Sequence, residues 1–236
     1  MLSTEAKNLQ DVQERIRRAA AKYGRDPDRI TLIAVSKTKP VDAILAAYQA
    51  GQRSFGENYV QEAVSKIASI NLPDIEWHFI GPIQSNKTRL IAENVDWVHS
   101  VDRIKIAERL SEQRPPELPA LNVCLQVNIS EENSKAGVTL DRLEELAVQV
   151  YRLPGLAMRG LMAIPQRETD FDAQRDIFSR LAVAKDQLNA ARGWQLDTLS
   201  MGMSQDLEAA IAAGATMVRV GTDIFGKRDY PADASQ

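Results

Sequence analysis

One cysteine, Cys124, occurs in the 236 residues, so no intrachain disulfide can form. It sits in the apolar run Leu121-Asn122-Val123-Cys124-Leu125, where a thiol behaves as a small buried hydrophobe. Such usage is compatible with a reducing compartment. Histidine is nearly as scarce: His78 and His99 do not form a zinc-ligand spacing, and no metal site is expected. No apolar stretch reaches membrane-spanning length without charges or breakers. The N-terminus, with Glu5, Lys7, Asp11, Glu14 and Arg15, lacks the apolar segment of a secretory signal. Cytoplasmic location and no membrane partner are the resulting expectations. An excess of one charge is missing too: the formal net charge of -3 gives no overall pull on nucleic acid. Neither a Walker phosphate loop nor a Rossmann GxGxxG occurs, and no internal repeat demands a solenoid.

What is present reads as an ordinary soluble chain, 44% hydrophobic and 26% charged, long enough for one sizeable core. A single domain over 1–236 is expected, with an N-terminal helix over about 1–24 and a tail over about 227–236. Leu9, Val12, Ile16, Ala19 and Ala20 recur at helical spacing before Gly24, a plausible stop. Short apolar strands are then predicted at 31–35, 53–56, 76–80, 95–99, 121–127, 158–163, 196–199 and 216–220. Helices over 41–50, 58–69, 86–92, 103–111, 139–151, 171–191 and 204–213 separate them. Mostly apolar strands alternating with helices imply a parallel sheet covered by helices. A closed barrel removes the sheet edges, but the count alone also allows an open doubly wound sheet.

Lys37 stands just past the first strand, on the face shared by Thr31, Ile33 and Val35. If that face lines a barrel, Lys37 reaches the C-terminal mouth, where a partly desolvated amine can attack an aldehyde; the plain alternative is a solvated lysine. The turns Ser200-Met201-Gly202-Met203-Ser204 and Arg219-Val220-Gly221-Thr222 follow the last two strands. Their amides and the hydroxyls of Ser204 and Thr222 suit a phosphate, although Ser204 could merely cap a helix. Met217 and Arg219 share the inward face of the eighth strand, leaving Val218 and Val220 to pack outward. Asn58 follows a strand end and could touch a ligand or cap the next helix. Met162 could be core or a ligand contact, and Asn122, Gln126 and Asn128 make one face of the fifth strand polar. Lys135 lies in a polar loop, where a solvated lysine is the simplest reading.

These segments resemble the YggS/PROSC family, the pyridoxal phosphate homeostasis proteins. The resemblance runs from the N-terminal helix through Phe225. It rests on Ala34-Val35-Ser36-Lys37-Thr38-Lys39-Pro40, on Phe55 to Glu62, on Trp77 to Lys87, on Gly160 to Ile164, on Ser200 to Asp206, and on Val218 to Thr222. It implies a single-domain (β/α)8 TIM barrel of the fold-type III class, related to the N-terminal barrel of alanine racemase. It also implies pyridoxal 5′-phosphate (PLP, a vitamin B6 form) held as a Schiff base on Lys37. By the same resemblance Ser204, Gly221 and Thr222 meet the phosphate, Arg219 faces the pyridine nitrogen, Asn58 and Met162 lie near the ring, and Lys135 is associated with PLP binding or transfer.

The function so implied is maintenance of PLP supply, with effects on amino-acid and keto-acid metabolism and no robust turnover. The chain is expected to be a monomer making transient contact with PLP-requiring apoenzymes. It ends soon after the eighth strand, so the extra domain that supplies a racemase tyrosine is not expected. A PLP enzyme of small amino acids, such as a racemase, and a metabolite-sensing scaffold are the alternatives.

Overall fold

The computed structural model describes residues 3–130 and 136–227. Its strands are β1 (Thr31–Val35), β2 (Ser54–Glu57), β3 (Glu76–Phe79), β4 (Trp97–Val101), β5 (Leu121–Gln126), β6 (Leu156–Met162), β7 (Thr198–Ser200) and β8 (Met217–Val220). They pair in parallel in chain order, and β1 also pairs with β8, so the sheet closes as a barrel and is not an open doubly wound sheet. Register brings Ile33 beside Arg219 and Ala34 beside Val220. Closure leaves no strand edge exposed, which is what so short and apolar a set of strands requires.

Side-chain alternation sorts each strand into an inward and an outward face. Ile33, Trp97, Cys124, Met162 and Met217 form an apolar cluster of their own inside the barrel. Their outward neighbours, such as Leu32, Ala34, Val98, Val123, Leu125, Leu161, Val218 and Val220, belong to the larger core beneath the helices. Cys124 is fully buried and its pKa is pushed up to about 12 by that burial, the state of an inert packing thiol.

The outer helices are α1 (Thr4–Lys22), α2 (Val41–Gln49), α3 (Val60–Ser69), α4 (Thr88–Asn94), α5 (Ile104–Gln113), α6 (Leu140–Tyr151), α7 (Phe171–Arg192), α8 (Leu207–Ala212) and α9 (Thr222–Phe225). Helix α1 starts at Ser3, whose hydroxyl accepts from the Ala6 N–H at 3.1 Å. It buries Leu9, Val12, Ile16, Ala19 and Ala20, the stripe read from spacing, against α2, α8 and α9. Full burial of side chains such as Leu9 and Ile16 contributes about 1.5–3 kcal/mol each. Gly24 follows in a left-handed turn at φ 64°, as a helix stop should.

Several expected boundaries move by one to three residues, two of them for evident local reasons. The fourth strand begins at Trp97, because Val95 still closes α4 by donating to Ile91 O at 3.2 Å. The helix expected from Ser204 begins only at Leu207: the Asp206 carboxylate takes the Met203 N–H at 2.5 Å and folds 204–206 into a turn. Helix α9 was not predicted, since four residues carry no periodic signal. Among the described residues no helix is long and apolar enough to cross a membrane.

Candidate functional site

The sequence-predicted residues gather at one end of the barrel. Lys37 lies two residues beyond β1 and is half-buried; Asn58 follows β2; Met162 ends β6; Gly221 and Thr222 follow β8 directly. Ser204 lies beyond β7, partly buried in the turn before α8. All are at strand C-termini, and the strands concerned, β6, β7, β8, β1 and β2, are consecutive around the barrel. Barrels of this kind assemble their sites from such strand ends. Lys135 falls outside the described residues, as does the tail from 228 onward.

The backbone on either side of Lys37 is clamped. Before it, Ser36 is buried, donates its hydroxyl to Glu57 Oε1 at 2.6 Å and receives the Lys66 ammonium on its carbonyl at 2.7 Å. After it, Thr38 takes a left-handed φ of 62°, unusual for a branched residue, and its N–H donates to Glu62 Oε1 at 2.5 Å. Lys66 ties both halves together by also bonding Glu57 and Glu62, at 2.7 and 2.6 Å. Burial pushes the Glu57 carboxyl above its usual range, opposed by the Lys66 charge. Sequence reading missed this cluster, and only the Glu62–Lys66 spacing on α3 hinted at a pair.

Asn58 does not cap α3. Tyr59 occupies that position, and Asn58 Oδ1 is buried with no hydrogen-bond partner among the described residues. A buried amide oxygen left unpaired costs on the order of 1–3 kcal/mol, so a donor arriving from a ligand would be met favourably.

The two late turns are braced from α1. Arg15 donates to the Ser204 carbonyl at 2.7 Å and to Asp223 Oδ2 at 2.6 Å, and Asn8 donates to Ile224 O at 2.9 Å. No spacing in the sequence links Arg15 to residues so distant in the chain. Gly202 stands at φ 95°, and an added Cβ would lie 2.5 Å from Ala210 Cβ. Its carbonyl accepts the Arg219 N–H at 2.9 Å, anchoring the first turn to β8. Gly221 passes so near β1 that a Cβ would sit 3.1 Å from Val35 O. The chain there can approach a ligand closely, and α9 opens on the next residue.

Arg219 is buried inside the barrel, and that desolvation lowers its pKa to about 10, still well above neutrality. Its Nη1 donates to Ser200 Oγ at 2.7 Å and its Nη2 to Ala163 O at 3.0 Å. Guanidinium has five N–H donors, so capacity remains for a ligand. His78 and His99, which showed no pattern in the sequence, face one another at 2.9 Å between β3 and β4. Among the described residues no three His, Cys, Asp or Glu side chains converge as a metal site requires. Asn122, on the polar face of β5, is met by Arg159 at 3.1 Å and donates to Asp96 O at 3.2 Å.

Together the mouth offers a half-buried amine, an unpaired amide oxygen, a buried donor-rich cation and two glycine turns. That set fits a small molecule with an aldehyde, a ring acceptor and an anionic group. A model of the family described as "Alanine racemase, N-terminal domain" matches residues 8–229. The chain is 58% identical over 234 residues to the pyridoxal phosphate homeostasis protein of Pseudomonas aeruginosa, covering 99% of this chain and 100% of the relative. It is 57% identical over 228 residues to the protein of that name in Escherichia coli, covering 95% and 97%. Among solved structures, PipY of Synechococcus elongatus, determined with PLP bound, is 40% identical with a TM-score of 0.78, covering 89% of this chain and 99% of PipY. The chain thus belongs to the alanine racemase N-terminal domain family and, within it, to the pyridoxal phosphate homeostasis proteins.

Proposed function

We propose that this chain binds PLP at the C-terminal mouth of its barrel and serves PLP homeostasis in the cytoplasm. The observation that carries this reading is the placement, on the neighbouring strands β1 and β8, of Lys37 just beyond one strand end, and of buried Arg219 and the glycine turn into α9 at the other. The PLP-bound state of PipY and the names of the relatives support it.

When bound, PLP supplies an aldehyde that condenses with a lysine amine and a ring that withdraws electrons. In this reading Lys37 provides the amine, and the Ser36–Glu57–Lys66–Glu62 cluster holds its backbone in place. Ser204, Gly221 and Thr222 hold the phosphate with Arg15 behind them. Met162 and Asn58 flank the ring, and Arg219 donates to its nitrogen. Because arginine stays protonated and only donates, that nitrogen remains unprotonated and the ring a weak electron sink. In the same reading the protein is a carrier without robust turnover, a monomer that passes PLP to apoenzymes by transient contact.

Borohydride trapping followed by peptide mass analysis tests the assignment. The adduct is expected on Lys37, and Lys37→Ala should abolish the protein-linked visible absorption. An adduct on another lysine with Lys37 unmodified overturns it. Rapid D/L conversion of alanine by the PLP-loaded wild type, abolished in Lys37→Ala, overturns the carrier reading.

A further inference from the structure

A line of hydrogen bonds crosses the barrel interior from the N-terminal mouth to Arg219. Glu76 begins it at the start of β3, with 43% of its side chain exposed to solvent. Its Oε1 accepts from Trp97 Nε1 at 2.8 Å, and its Oε2 lies 3.0 Å from His78 Nε2. His78 Nδ1 is 2.9 Å from His99 Nε2, and His99 Nδ1 is 2.8 Å from Ser200 Oγ, across the lumen on β7. Arg219 Nη1 closes the line by donating to that same oxygen at 2.7 Å. His78, His99, Ser200 and Arg219 are all buried, so any donor or acceptor left unmet among them bears the full cost of desolvation.

The two ends fix the direction of every link. Arginine donates and cannot accept, so Ser200 Oγ receives from Arg219 and sends its own proton to His99 Nδ1. A neutral imidazole that accepts at Nδ1 carries its proton on Nε2, which here points at His78 Nδ1. The same logic puts the His78 proton on Nε2, aimed at the Glu76 carboxylate. Starting from the carboxylate, which accepts only, gives the same answer. Reversing the line would leave Ser200 with two donors and its own proton stranded. Burial above all holds His99 well below the ordinary imidazole range, with the Arg219 charge acting in the same direction, in keeping with a neutral ring. The hydrogen bond from His78 in turn holds the Glu76 carboxyl below its usual range.

We propose that Glu76, His78, His99 and Ser200 form a positioning relay of fixed polarity, which holds both histidines in the Nε2–H form and aims the Arg219 guanidinium at the cofactor's ring nitrogen. The aim towards that nitrogen rests on the proposed PLP reading; the polarity of the line does not. Bonds aligned head to tail strengthen one another, so Ser200 Oγ becomes a better acceptor once its proton is committed to His99. Arg219 bonds a hydroxyl and a backbone carbonyl, not a carboxylate, and the relay connects it to an anion at the opposite mouth. A carboxylate directly at the site would compete for the guanidinium donors that the ligand needs. Distance keeps them available.

Histidine 15N NMR of the cofactor-free protein reads the tautomers, and the protein's two histidines make assignment direct. Both rings are expected to show a pyridine-type Nδ1 and a pyrrole-type Nε2 at neutral pH. In Ser200→Ala the His99 Nδ1 resonance should move to the position of a nitrogen that receives no hydrogen bond. With PLP loaded, the same variant should shift the visible band and bind PLP about fivefold more weakly, the worth of one net hydrogen bond. A wild-type His99 protonated at Nδ1, or an unmoved His99 Nδ1 in Ser200→Ala, overturns the relay. Correct tautomers with an unchanged band and affinity in Ser200→Ala overturn its coupling to the cofactor. Arg219→Lys distinguishes the two kinds of failure: if it moves the band while Ser200→Ala does not, the relay alone is wrong. If neither moves it, Arg219 does not face the ring, and that part of the cofactor reading has failed.

Discussion

At the N-terminal mouth Arg159 pairs with Asp197 at 2.5 Å, donates to Asn122 at 3.1 Å and lies 5.3 Å above the Trp97 ring, while both Glu76 oxygens face donors. At the C-terminal mouth Asn58 Oδ1 is buried without a partner among the described residues, Thr38 holds a left-handed φ, and Arg219 keeps N–H donors to spare. Among the described residues, one end of the barrel has met its polar needs, and the other has not. Unmet polarity and strained backbone lower stability unless something else repays them, and a bound ligand is what can do so. The contrast also shows how the poorer end is kept standing. Behind each functional group lies a hydrogen-bonded support: the Lys66 cluster behind Lys37, Arg15 behind the phosphate turns, and the buried histidine line behind Arg219.

The harshest way to break this comparison is to remove a support. Lys66→Met leaves the Glu57 carboxylate buried without its cation and should cost about 3–5 kcal/mol in urea unfolding. It should also slow PLP attachment at Lys37, because the Ser36 carbonyl loses its donor. A loss under about 1 kcal/mol would mean that Glu57 and Ser36 find other partners, and that the clamp is not needed. A milder change at the mouth itself sharpens the contrast. Thr222→Ala, at an exposed site, should leave stability nearly unaltered yet weaken PLP binding about fivefold, one net hydrogen bond, with unphosphorylated pyridoxal unaffected. Equal losses for both ligands in titration would remove Thr222 from the phosphate site. The smallest effect belongs to the satisfied end. Asp197→Asn loosens a pair that is largely exposed and should cost less than about 1 kcal/mol, with PLP affinity unchanged. A marked loss of PLP affinity there would show that the two mouths are not separable.

The α1 stripe, the inward face of β8 and the position of Lys37 beyond β1 were all legible in the sequence, because each depends on local periodicity and on residues a few positions apart. Family resemblance added the roles of Ser204, Gly221, Thr222 and Arg219, which spacing could mark as candidates for phosphate or ligand contact but could not assign to PLP. His78 shows why the rest stayed hidden. Beyond Glu76 on its own strand, its partners are His99 on the next strand and, through that ring, Ser200 on β7, 101 residues beyond His99. No local pattern encodes a contact across a barrel lumen. Asn58 is a similar case: the residue type allowed a helix cap or a ligand contact, and only the packed chain, with Tyr59 in the cap position, left its amide oxygen without a partner.

By itself, then, the sequence determined the alternation of strand and helix, the two faces of the first and eighth strands, and the nature of the groups at the strand ends. Those follow from backbone geometry and the placement of apolar residues, which act over a few positions. Tertiary structure alone decided that the sheet closes, that Lys66 and Arg15 stand behind the site, and that Arg219 is joined to a carboxylate at the far mouth. Each of these depends on closing loops of tens to hundreds of residues, and on buried polar groups finding partners only once water has been excluded around them.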